Sequence, residues 1–157
     1  MSKAVLISIR PEWARKIISG EKTIEVRKTR PKMDTPFKCY IYKCGNGKVV
    51  GEFLCDQIIE DRTYGHNEEF YRAACMSAYD AAAYAMQSPM YGWHISDLVV
   101  YDEPKKLTEF RRPCHNDLYC ESCAMYSNNG GICNNGALQL YRPPQSWCYV
   151  EEKLWND

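Results

Sequence analysis

Apolar and polar positions divide the chain into short elements. "AVLISIR" (4–10) is almost continuously apolar and reads as a buried strand. Pro11 stands where a first helical turn begins. "PEWARKIISG" then spaces Trp13, Ile17 and Ile18 for a helix that Gly20 terminates. "EKTIEVRK" returns to alternation, with Ile24 and Val26 on one side and Thr23, Glu25 and Arg27 on the other. "PFKCYIYKC" and "KVVGEFLCDQIIE" flank Asn46-Gly47 as the two arms of a hairpin, and Gly51 marks a bend or bulge in the second arm. Residues 66–88 read as helical, with Ser77 as an N-cap, alanines behind it and Ser88-Pro89 as the close. "YGWHISDLVVYDEPKKL" (91–107) is an aromatic and β-branched strand, and "RPPQSWCYVEEKLW" supplies a last strand near 147–152. The order β-α-β-β-β-α-β-insert-β predicts an α+β fold: a small, mixed, mostly antiparallel β-barrel flanked by short helices.

Composition sets the scale. The chain has 157 residues, 45% of them hydrophobic, which is enough for one domain (1–157) to bury a core without staples. It has no apolar run of 18 residues and no signal-peptide pattern at its start, so the expected compartment is the cytoplasm, with no membrane partner. Net charge is zero but unevenly spread. Residues 1–50 hold 12 Lys or Arg against 4 Asp or Glu, a balance of +8. Either folding mixes the two halves, or the N-terminal third builds a basic face suited to phosphates.

Nine cysteines in a chain with no secretion signal argue against a disulfide framework. Cys39, Cys44, Cys55, Cys75 and Cys148 sit beside apolar residues and read as small packing residues. The other four lie in a segment of different character, 111–137, which is rich in Asn, Gly and Cys and has little periodicity. The spacing Cys114-x5-Cys120-x2-Cys123-x9-Cys133 places two sulfurs on one turn and two within reach, as a zinc-knuckle-like insertion requires. Structural Zn²⁺ on these four thiolates is the expectation. His115 in place of one thiol and free thiols are the alternatives. Four thiolates close the coordination shell, so such a metal is not catalytic.

Gly20-x-Lys22-x-x-Glu25-x-Arg27 resembles the G-x-K-x-x-E-x-R motif of ASCH domains, in the PUA-like superfamily. "LISIRPEWARKIISGEK", "GWHISDLVVYDEPKKLTEF" and "RPPQSWCYVEE" are similar to the flanks of that motif in short bacterial and phage members, over roughly 1–110 and 138–152. The resemblance implies a PUA-like barrel with a cleft that binds RNA or a nucleotide, lined by Lys22, Glu25 and Arg27 with Ser8 and Arg10 of the first strand and Trp93 of a later one. Lys22 and Arg27 suit phosphate, Glu25 suits ring or exocyclic N–H groups, and Trp93 or a tyrosine suits base stacking. A structural Glu25–Arg27 pair is the competing reading.

Two other functions stay open. One branch of the family hydrolyses N4-acetylcytidine with a Lys, a Thr and a Glu. Lys22 matches its lysine, but Glu25 stands where its threonine belongs, Thr23 is two residues early, and Asp97 is the candidate for the third group. Lys22 and Glu25 are the catalytic candidates in that case, or in a ribonuclease. The other function is a protein-interaction module that meets its partner through the zinc-stabilised insertion, with Met125 and Tyr126 exposed.

Overall fold

The computed structural model describes residues 2–63, 66–114 and 136–155. In chain order the elements are β1 (Lys3–Ile9), α1 (Pro11–Ile18), β2 (Ile24–Arg27), β3 (Phe37–Lys43), β4 (Lys48–Asp61), α2 (Glu68–Ala73), α3 (Ala78–Ala85), β5 (Met90–Lys106) and β6 (Trp147–Glu151). One six-stranded sheet runs β2-β5-β4-β3-β1-β6. β1 and β3 are parallel and the other neighbours antiparallel. The fold is therefore mixed α+β and mostly antiparallel, as expected, but the sheet does not close into a barrel. β2 and β6 are its two edges, four and five residues long.

β1 is buried from Ala4 to Ile9 because both of its faces are covered. Its odd positions Val5, Ile7 and Ile9 pack with Phe37, Cys39, Ile41, Phe53 and Trp93, and α1 adds Ala14 and Ile17. Its even positions Ala4 and Leu6 pack with Tyr40, Val49, Phe110 and Val150. That double burial is why the strand reads as a continuous apolar run. A third cluster places α2 and α3 against Ile24 and Val26 of β2, through Phe70, Tyr71, Ala74, Ala81 and Ala85.

The helical stretch expected over 66–88 is two helices. Asn67 caps α2 by accepting from Phe70 N at 3.2 Å, and Ser77 caps α3 by accepting from Asp80 N at 3.0 Å. Between them Cys75 adopts φ 57°, which ends the first helix. Met86 and Gln87 are also left-handed and stop α3 before Ser88.

The residues flanking the 111–137 segment are joined to each other by backbone contacts. Arg111 bridges Gln139, Arg112 N donates to Leu138 O at 2.8 Å, and Leu140 N donates to Phe110 O at 3.0 Å. Of the expected zinc ligands, Cys114 is half-buried, and no cluster of metal-binding side chains surrounds it among the described residues. Cys120, Cys123, Cys133 and the alternative His115 lie outside the described residues, as do Met125 and Tyr126.

The bulge foreseen at Gly51 is present, with the β4–β5 register shifting between Val49 and Gly51. A Cβ on Gly51 would sit 2.5 Å from the carbonyl oxygen of Val99. Backbone cannot step aside as a side chain does, so Gly51→Ala should destabilise the protein by about 1–3 kcal/mol. A lowered urea midpoint measures this. An unchanged midpoint would mean that the bulge has room to spare.

Candidate functional site

β2 carries its two faces to opposite places. Ile24 and Val26 turn to the helices, so Glu25 and Arg27 turn inward, toward the gap between β2 and the β1–β6 edge. There they line a cleft of about 540 Å³. Of the residues expected from sequence, Ser8, Arg10, Lys22, Glu25 and Arg27 all line it. Trp93 does not. It is 0% exposed, edge-on to Phe37 at 5.9 Å and to Trp147 at 5.8 Å, and it belongs to the first core cluster. It pairs with Glu25 across the strands, but its ring completes the core, so no base can stack on it. Thr23 is exposed and outside the lining. Asp97 is an exposed, left-handed residue of an irregular stretch of β5 and is likewise outside it.

Arg27 holds the floor of the cleft. Its Nε donates to Glu25 Oε1 at 3.1 Å, its Nη1 to Ser146 O and Oγ at 3.3 and 3.0 Å, and its Nη2 to Ser8 O at 2.7 Å. Nη2 also lies 3.0 Å from Glu25 Oε1. Each of the three guanidinium nitrogens donates at least one hydrogen bond. Arg27 therefore joins β2 to β1 and to the residue before β6 through side-chain bonds, where the sheet has no backbone pairing. Ser8 reinforces the junction, with its N donating to Ser146 O at 2.9 Å and its Oγ to Pro144 O at 2.7 Å.

Lys22 is 4% exposed, although strand parity places it on the wrong side. It precedes β2, and its backbone turns it inward: Lys22 N donates to Lys16 O at 2.9 Å. Its Nζ donates to Ala74 O at 2.6 Å, lies 5.2 Å from the centre of the Trp13 ring and stands 3.5 Å from Glu25 Oε2. That last contact is an ion pair rather than a well-formed hydrogen bond, and Glu25 Oε2 accepts no hydrogen bond from the described residues. Glu25 is 6% exposed, so a carboxylate oxygen is buried at the cleft with the Lys22 ammonium at 3.5 Å and no closer donor among the described residues.

Three further residues shape the site. Trp13 of α1 forms a wall, Ser146 anchors Arg27, and Tyr84 of α3 closes the far side. Burial raises the Tyr84 hydroxyl pKa, the Arg27 cation opposes that rise, and Glu25 adds to it, which places the phenol beside the motif. Trp13 showed in the sequence only as an apolar helix position, and Tyr84 only as one tyrosine in an alanine-rich helix.

Burial lowers the Lys22 pKa below its ordinary 10.5, against the opposing pull of Glu25. Between the lowered value and 10.5 the unfolded chain binds more protons than the folded one. The Lys22 contribution to stability therefore rises with pH across that window. Carbon-13 titration of the lysine side chains should show Lys22 deprotonating below the exposed lysines, and the rising contribution should vanish in Lys22→Met. A Lys22 midpoint at or above those of the exposed lysines would contradict the burial argument.

The model of the family described as "ASCH domain" matches residues 7–105. Among solved structures, the chain is similar to a tyrosine-to-phenylalanine variant of the ASCH protein from Zymomonas mobilis, with TM-score 0.66, 20% identity, and 96% of this chain and 92% of that one covered. It is also similar to the unsubstituted Zymomonas mobilis protein, with TM-score 0.60, 20% identity, and 95% and 88% covered. At that identity the likeness concerns the fold, which fits the PUA-like type. No curated protein matches. The matched span includes the whole motif from Gly20 to Arg27, the inward face of β2 and the strand that pairs with it, and on that match this chain belongs to the ASCH domain family.

Proposed function

We propose that the cleft binds RNA or a nucleotide without catalysing a reaction. The observation that carries this reading is Glu25 Oε2, buried at the cleft with no donor closer than the Lys22 ammonium at 3.5 Å among the described residues. A buried acceptor left in that state costs about 1–3 kcal/mol, which a ligand N–H would restore. The exocyclic amine of cytosine or adenine is such a donor. Tyr84, partly exposed at the edge of the cleft, offers a ring for stacking in place of Trp93. Arg10 is exposed, lines the cleft and has no ion pair among the described residues, so it suits phosphate better than the hydrogen-bonded Arg27 does. ASCH domains have a PUA-like fold usually linked to RNA binding, which supports the same reading. The hydrolase alternative asks for a hydroxyl nucleophile beside Lys22, and Thr23 lies outside the cleft lining.

Equilibrium binding of the four 5′-mononucleotides tests this. Glu25→Gln keeps an oxygen for Arg27 and turns the Oε2 position into a donor. It should shift preference from the amino bases toward uracil, by about tenfold for a gain or loss of one buried hydrogen bond. Tyr84→Ala should weaken every base, by about 1–3 kcal/mol. Release of product from an acylated cytidine, or cutting of RNA, abolished in Lys22→Ala would overturn the binding reading in favour of an enzyme.

For the insertion we propose a structural zinc on Cys114, Cys120, Cys123 and Cys133, supported by their spacing alone. Protein purified without added metal should carry one equivalent of zinc, and Cys120→Ser should lose it while the sheet stays folded. Zinc near zero, or disulfides among these cysteines in reducing buffer, would refute the site.

A further inference from the structure

A second basic groove adjoins the cleft. It is formed by the loop between β2 and β3, has a volume of about 460 Å³ and is lined by Lys28, Arg30, Lys32 and Tyr91, with Asp34 the carboxylate among the lining side chains. Lys28, Arg30 and Lys32 are exposed, and none of them forms an ion pair among the described residues. The Arg30 guanidinium reaches only the carbonyls of Pro31 and Met33, at 3.4 and 3.5 Å, the long limit for a hydrogen bond. Lys28 Nζ lies 4.9 Å from the centre of the Tyr84 ring.

The backbone beneath these cations is fixed. Lys32 N donates to Tyr149 Oη at 2.8 Å, and Trp147 Nε1 donates to Thr29 Oγ1 at 2.9 Å. Pro31 is buried, and Met33 packs on the first core cluster. The loop therefore presents three charges on a frame already ordered by β6, which reduces the entropy that a ligand must remove. The groove is continuous with the cleft along the chain. Arg27 forms the cleft floor, and Lys28, the next residue, stands over the Tyr84 ring that helps line the cleft.

We propose that this loop is a phosphate-binding track extending the cleft. The ligand is then a single-stranded polynucleotide: one nucleotide enters the cleft, and the phosphates of its neighbours cross Lys28, Arg30 and Lys32. The proposal rests on the reading of the cleft as a nucleotide site and adds the class of ligand. Arg30 has the fork for a bidentate phosphate contact, while Lys28 and Lys32 act as point charges. Each phosphate neutralised releases counterions, so affinity for a strand depends on salt far more steeply than affinity for a mononucleotide.

The test compares cytidine 5′-monophosphate with a single-stranded RNA of about twelve residues, titrated between roughly 50 and 200 mM salt. In Arg30→Ala/Lys32→Ala the RNA should bind more weakly and its log–log salt slope should fall by roughly 1.4, while the mononucleotide binds as before. The charge-keeping Arg30→Lys/Lys32→Arg variant should retain the wild-type slope. Tyr84→Ala should weaken both ligands and leave the slope intact. An unchanged RNA slope in the double alanine variant, an equal loss in the charge-keeping variant, or no RNA binding by the wild type would overturn the track. Mononucleotide binding that Tyr84→Ala weakens would still support the cleft in those cases. RNA binding lost with the loop charges, in a protein that never binds the mononucleotide, would overturn the nucleotide reading of the cleft and leave the loop as the binding surface.

Discussion

The two edge strands of the sheet do not pair with each other, and the Arg27 side chain joins them. From the end of β2 it reaches Ser8 O on β1 and both oxygens of Ser146 before β6, while Glu25 fixes its Nε side. A backbone ladder at this place would have closed the barrel and filled the gap. A side-chain junction spans a wider distance and leaves space beside itself, and that space is the cleft. Two weaker ties continue the seam below it, Trp147 to Thr29 and Tyr149 to Lys32. The Arg27 junction thus accounts for the position of the cleft, and the two ties beside it fix the shape of the basic loop.

The junction sets the electrostatics of the site. Two cations flank one carboxylate in a region that water hardly reaches. The guanidinium is weakly hydrated and finds an acceptor at each of its three nitrogens, so its burial is well compensated. The ammonium of Lys22 is strongly hydrated and has one short hydrogen bond, one ring and a carboxylate at 3.5 Å. Desolvation outweighs attraction there, and the lysine pKa falls. Glu25 gives one oxygen to Arg27, and the other has no donor closer than Lys22 among the described residues. The least satisfied group at the cleft is therefore an acceptor, although the motif read as charge alone suggests a pair of cations.

Each layer of the core supports this arrangement from a different side. The first cluster seats α1, which carries Trp13 to the cleft. The third seats α3, which carries Tyr84 to it. The second holds Phe110 and Leu140, the residues bounding the Cys-rich segment, on the other face of β1. Folding offsets part of the basic N-terminal third, as where Lys38 pairs with Glu52 and Glu152. Lys28, Arg30 and Lys32 gather on one pinned loop beside the site.

By itself the sequence determined the elements and the face on which the motif lies. Ile24 and Val26 against Glu25 and Arg27 is a period of two, and burying the apolar pair dictates where the charged pair goes. The continuous apolar run of β1, the Pro11 start, the Ser77 cap and the Gly51 bulge were legible for the same reason: each is a local rule of backbone geometry. The break at Cys75 was not, because a left-handed cysteine leaves no mark in composition. Tertiary structure alone decided three things. Trp93 went to the core and Tyr84 of α3 to the cleft, since an aromatic ring suits either place equally until the neighbouring layers are placed. Lys22 entered the site against strand parity, because it sits in a turn where parity has no force. The barrel stayed open, since whether two edge strands meet depends on the summed twist and bulges of all six strands, which no single stretch of sequence encodes.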